Sequence, residues 1–151
     1  MSKVVTLSIC SLFLVACVSN DAVEVVTEEP IQYINFTSND QKDRVQEYWV
    51  VEKRQNPKYP ISAARKGLSG CVDFIVGIKK DGRAVSYQAK KSYPEGLFDE
   101  YAAAALNHWK WSATEENGEH LPVLTTIQLD FMVGGAKNKR TAEKVCGFSH
   151  I

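Results

Sequence analysis

The sequence has no charge bias, little metal-binding chemistry and no apolar run long enough to span a membrane. Its 18 Lys and Arg balance 18 Asp and Glu, so the formal net charge is zero and no overall field would draw nucleic acid. The three histidines, His108, His120 and His150, lack metal-ligand spacing, and no Cys-x-x-Cys occurs. No metal or cofactor is therefore expected. Lys66 followed by Gly67-x-x-Gly70 is too short and misplaced for a phosphate loop. Asp99 and Glu100 fall in the first turn of an expected helix, where carboxylates suit the dipole, so they do not read as a catalytic pair. No nucleophile has a partnering base, and an enzyme is not expected.

The apolar run that does exist, Val4 to Ala16, follows Lys3 and is shorter than the roughly 20 residues a spanning helix needs. It ends in Leu14-Val15-Ala16-Cys17, which resembles the lipobox of bacterial lipoproteins. The resemblance implies removal of Met1–Ala16 and acylation of Cys17; an ordinary cleaved leader with a free Cys17 thiol is the alternative. Acylation by more than one chain would anchor the protein stably. Val18, in the place where Asp would favour inner-membrane retention, leans the expectation toward the outer membrane.

Cys17 to Ser38 then reads as a tether, acidic and β-branched, with a Glu28-Glu29-Pro30 break and contacts to the domain at Tyr33 or Phe36. Ser38 and Gln41 fit a capping box, and Val45, Tyr48, Trp49 and Glu52 follow helical spacing, so a short approach helix is expected, with Trp49 as a core plug.

The densest information lies between Asn56 and Val133. Pro57 and Pro60 force an extended entry. Ile61–Lys66 can form one or two helical turns that Gly67 ends. Val72, Phe74, Val76 and Ile78 alternate as the buried face of a strand opened by Gly70. Asp81-Gly82 signals a hairpin into a weaker strand over about Ala84–Lys91. Leu97–Trp109 is the strongest helical pattern, and Val123 to Val133 alternates as a long final strand. The expected fold is α+β in two layers: a three-stranded antiparallel sheet with one main helix and a short N-terminal helix. Its boundaries are 39–133, with a tail over 134–151. If the last strand is paired on one side only, its free edge can accept a further strand.

Several of these motifs occur together in register: Pro57-x-Tyr59-Pro60, Ala64-Arg65-x-Gly67, Gly70-x-Val72-x-Phe74-x-Val76, Asp81-Gly82 and Ser92-x-Pro94-x-Gly96-x-Phe98-Asp99, then an Ala-rich helix ending at Trp109 and a terminal apolar strand. Over roughly 55–133 the chain resembles the TonB C-terminal domain family. The resemblance implies a periplasmic domain that pairs a short segment of an outer-membrane transporter with its last strand, helped by the Gln-Pro region before the first helix. Carried to this chain, it implies Gln55, Pro57, Tyr59, Thr125, Ile127, Leu129 and Phe131 as partner contacts. The chain departs from the family archetype in having a lipobox and a short tether with one proline in place of an uncleaved membrane helix and a Pro-rich rod. Trp111-Ser112-Ala113-Thr114 replaces the usual aromatic-x-Pro, so that turn should differ. The expectation is therefore contact with an envelope protein or transporter peptide, accessory to transport, rather than delivery of energy. The alternative is an envelope assembly lipoprotein that pairs with itself.

The remaining cysteines are Cys71 and Cys146, since Cys10 leaves with the leader. Outside the cytoplasm, two cysteines in one small domain point to a disulfide drawing the tail across the less buried face of the Cys71 strand; two free thiols are the alternative.

Overall fold

The structure is a computed structural model that describes residues 30–148. The lipobox, Cys17 and most of the tether lie outside these residues. Within them, the central strand is β3 (Gly70–Ile78), whose alternating Val72, Phe74, Val76 and Ile78 are all buried. β4 (Ala84–Tyr93) and β6 (Val123–Phe131) flank it antiparallel, and the two-residue β1 (Ile34–Asn35) adds to β6 in parallel. The sheet order is β1-β6-β3-β4. A separate antiparallel ribbon joins β2 (Trp49–Lys53) to β5 (Lys110–Ala113).

The first face of the sheet carries the main core. Helix α3 (Asp99–Leu106) buries Ala102, Ala105 and Leu106, and helix α2 (Ile61–Lys66) buries Ala63. Phe98 stacks on Phe131 at 4.3 Å between ring centroids, and Tyr59 meets both rings edge-on. Each large apolar side chain buried here contributes about 1.5–3 kcal/mol. Two glycines fix the path of the chain. Gly67 ends α2 at φ +61°. Gly82, at φ +69° in the hairpin, lies so close to the ribbon that a Cβ would stand 2.0 Å from the Trp111 carbonyl oxygen.

The α+β class agrees with the sequence reading, and the three expected strands are there. The sheet gains β1 as a fourth strand, and the ribbon is additional. The approach helix is shorter than its spacing implied: one α-helical turn, α1 (Val45–Tyr48), follows a 3₁₀ turn over Lys42–Arg44. Ser38 starts that turn through its carbonyl, which accepts from the Gln41 and Lys42 N–H groups, and no side-chain cap forms. Trp49 onward is strand because Val50-Val51 pairs with Trp111-Ser112, and β-branched residues suit that geometry. α3 likewise ends at Leu106, since Lys110 begins β5.

The second face is less bare than expected. Residues 134–138 lead into helix α4 (Lys139–Cys146), which turns Ala142 and Cys146 onto the sheet. Cys71 is fully buried beneath it, with its Cα 5.8 Å from that of Cys146 and the two sulfurs joined. Asn138 forms a two-way clasp with the Ser69 main chain at 2.9 and 2.8 Å, and the Lys137 N–H donates to the Gly67 carbonyl. At the other end of β3, Tyr33 lies against Gly77.

Candidate functional site

The site follows from which way the β6 main chain faces. On its inner side β6 pairs with β3 over nine consecutive residues without a register shift. On its outer side β1 covers only the start: the Ile34 N–H donates to the Pro122 carbonyl at 3.0 Å and the Phe36 N–H to the Leu124 carbonyl at 2.8 Å. Main-chain groups of alternate residues in a strand face the same edge. Leu124 faces outward, so Thr126, Gln128 and Asp130 do as well. Among the described residues no strand pairs with those three on that outer side.

Two grooves run beside this edge. One lies between Thr125–Ile127 and a wall that includes Val45, Trp49, Val51 and Trp111. The other, of about 330 Å³, lies between Gln128–Met132 and the extended segment carrying Arg54, Asn56, Pro57 and Tyr59. The prolines account for that second wall, since they keep the segment extended beside the sheet. Tyr59 is fixed there by its hydroxyl, which donates to the Leu68 carbonyl. Burial raises its phenol above the usual tyrosine value, with a hydrogen bond to Ser69 opposing in part, so it remains a protonated donor at neutral pH.

The structure brings Pro57, Tyr59, Leu129 and Phe131 together at the second groove, and places Thr125 and Ile127 at the first. Gln55 sits elsewhere: its carbonyl accepts the Trp109 indole N–H at 2.8 Å, and it lines a cleft with Tyr101 and His108 against α3. Thr125, Leu129 and Phe131 point their side chains into the core, and Ile127 is partly buried on the same face. Their main-chain groups turn toward β3. The groups free to pair belong to the intervening Thr126, Gln128 and Asp130, which the sequence reading did not single out. Period-two alternation marks the buried face of a strand, but only the pairing partners reveal which edge each main-chain group faces. Thr125 Oγ1 is buried with no hydrogen-bond partner among the described residues. Those residues also contain no cluster of three or more His, Cys, Asp or Glu side chains placed to hold a metal ion.

Comparison with known proteins agrees with this architecture. Residues 55–133 match the family described as the Gram-negative bacterial TonB protein C-terminal. The chain belongs to this TonB C-terminal family. It is 30% identical over 83 residues to Protein TonB from two strains of Xanthomonas campestris pv. campestris, a match covering 54% of this chain and 37% of each relative. The chain thus spans little more than a third of the curated relatives it matches. The solution NMR structure of the Pseudomonas aeruginosa TonB CTD is similar in fold, with a TM-score of 0.50 and 21% identity over 66% of this chain and 93% of that one. Within the TonB-type domain lie α2, β3, β4, α3, β5 and β6, together with all of the second groove except Arg54. β1, α1 and α4 lie outside the matched residues.

Proposed function

We propose that this TonB-family chain is a lipid-anchored, periplasm-facing protein of the Gram-negative envelope that captures an extended segment of an envelope protein by strand addition to β6. An outer-membrane transporter is the partner proposed. The observation that carries this reading is the row of outward main-chain groups at Thr126, Gln128 and Asp130, flanked by two grooves and covered by β1 only as far as Leu124. Strand addition draws its affinity from such a row and its specificity from the neighbouring side-chain pockets. The Leu14-Val15-Ala16-Cys17 sequence supports acylation of Cys17, with the outer membrane favoured. A Cys71–Cys146 bridge suits the oxidising periplasm and holds the tail on the sheet. The role is binding rather than catalysis.

Thr126→Pro tests the proposal, because it removes an outward N–H at an edge, where proline is tolerated. The parent chain should recover a β-barrel transporter from solubilised envelopes. The variant, with an unchanged circular dichroism spectrum, should recover at least about tenfold less, the equivalent of one or two lost hydrogen bonds. Equal recovery by the folded variant would count against strand addition at β6. A concentration-dependent dimer in light scattering, with no partner recovered, would replace capture by self-pairing.

A further inference from the structure

A second surface adjoins the end of β6, where α2, the 132–138 segment and α4 meet. The stretches 61–68 and 132–148 hold six cations, Arg65, Lys66, Lys137, Lys139, Arg140 and Lys144, against one acid, Glu143. They carry +5 in a chain whose net charge is zero, which leaves −5 for everything else. All six are exposed. The main chain gathers them: Lys137 bonds to Gly67, directly after Lys66, and Asn138 clasps Ser69. Glu143 pairs with Lys139 at 3.7 Å, an exposed contact of little energy.

Helix geometry aims the charges outward. Ala142 and Cys146 define the buried stripe of α4, so Arg140 and Lys144, four residues apart, project from the opposite side. In α2 the buried residue is Ala63, which puts Ile61 and Arg65 together on the solvent side. Apolar surface accompanies the cations. Ile61 is 70% exposed and Met132 49%. Met132, Val133, Ala136, Ala142 and Phe148 line a groove together with the Lys139–Glu143 pair.

We propose that this face docks on an anionic phospholipid bilayer. The cations would meet the headgroup phosphates, and Ile61 and the Met132 groove would meet the glycerol and upper acyl region. Charge complementarity requires an anionic partner. Exposed aliphatic side chains interspersed with cations are the pattern of a surface that lies in a membrane interface, and a wholly acidic polypeptide such as polyglutamate would leave them without partners. The surface shares Met132 with the second groove but none of the outward main-chain groups of Thr126, Gln128 and Asp130, so this inference stands whether or not strand addition does.

The test is cosedimentation of residues 17–151 carrying Cys17→Ser, so that neither the apolar leader nor an acyl chain contributes. Vesicles containing phosphatidylglycerol are compared with vesicles of phosphatidylcholine alone. Binding should require phosphatidylglycerol and fall with added salt. Each Lys or Arg near such a surface is worth about fivefold in binding, so Arg140→Gln with Lys144→Gln should lower it roughly thirtyfold. Both side chains face solvent, and a circular dichroism spectrum verifies the fold. Lys79→Gln with Lys80→Gln removes the same charge at the far end of β3 and should leave binding nearly unchanged. Equal binding to both vesicles, an equal loss from the hairpin pair, or binding to polyglutamate but not to vesicles would overturn the proposal.

Discussion

One sheet presents two unlike edges. β4 forms one of them, and its register against β3 shifts twice, between Asp73 and Phe74 and between Ile75 and Gly77. It also carries Lys90 and Lys91. Bulges and lysines are the usual devices that prevent an edge from templating a new strand. Beyond Leu124, where β1 ends, β6 forms the other edge. It pairs with β3 without a shift, contains one charge, Asp130, and has neither lysine nor proline. Both edges belong to the same sheet, so strand exposure alone does not identify a binding site. The difference lies in which edge the sequence leaves regular, and grooves with aromatic walls lie beside the regular one.

Within β6 the two sides of the strand separate binding from folding. Leu129 directs its N–H toward β3 and its side chain into the core, where it is 2% exposed. Leu129→Pro should therefore cost about 4 kcal/mol or more by combining a lost ladder bond with a core cavity, and the urea midpoint should collapse. Thr126→Pro, three residues away on the outward side, should leave most of the stability and remove capture. If both prolines unfold the chain alike, the outer edge is not free as described.

The next effect in size concerns what braces β6 from behind. Gln128 donates to the carbonyl of Cys146 at 2.9 Å and to Asp130 at 2.8 Å, so the end of α4 is tied to the same strand whose main chain faces the groove. Cys71 and Cys146 are 75 residues apart. Removing a bridge over such a loop typically costs about 2–4 kcal/mol. Cys146→Ser should lower the urea midpoint accordingly, and reducing agent should then have no further effect on the variant. A variant as stable as the oxidised parent would mean that the Asn138–Ser69 clasp and the hydrogen bonds from Gln128 and Lys91 hold α4 without the bridge.

The sequence made the core of this architecture legible where local pattern and tertiary role coincide. Val72 to Ile78 alternates because one face is buried, Asp81-Gly82 turns because Gly82 can take a positive φ, and Gly67 stops α2 for the same reason. The β2–β5 ribbon was not legible, because Val50-Val51 finds its partner about sixty residues later in Trp111-Ser112, which alternates too briefly to read. Helix α4 escaped because its apolar stripe is only Ala142 and Cys146. The candidate site was legible by neighbourhood but not by atom. Pro57 and Tyr59 do flank β6, whereas the free main-chain groups sit between the residues that resemblance selected.

A smaller effect addresses the β4 edge directly. Lys90 is exposed at one of the register shifts, between Ala89 and Lys91, which do pair with β3. Lys90→Val removes a charge from that edge and should increase weak, concentration-dependent association in light scattering. The effect should be modest, since the bulges still break the ladder. No change at all would mean that the bulges suffice and that Lys90 serves only its 3.4 Å contact to the Thr37 carbonyl.

The smallest effect belongs to Asp130, the one charge on the regular edge. Partial burial beside the end of α4 raises its carboxyl above the ordinary value of 3.8; a Gln128 hydrogen bond and then the charges of Lys91 and Arg54 oppose this in part. The folded chain thus holds this proton more tightly than the unfolded chain does. The stability linked to Asp130 is fully present below the unfolded value and declines as pH rises from there through the folded value, so the ionised carboxylate is a net cost at neutral pH. Asp130→Asn should raise stability at pH 7. The residue is substantially exposed and its interactions are screened, so the gain should stay within about 0.5 kcal/mol. The difference from the parent should shrink toward zero in acid below the ordinary aspartate value, where the parent is protonated too. A variant less stable at pH 7 would mean that attraction to Lys91 and Arg54 outweighs burial. The charge would then be a structural member of the β6 edge, and not a residue the edge merely tolerates.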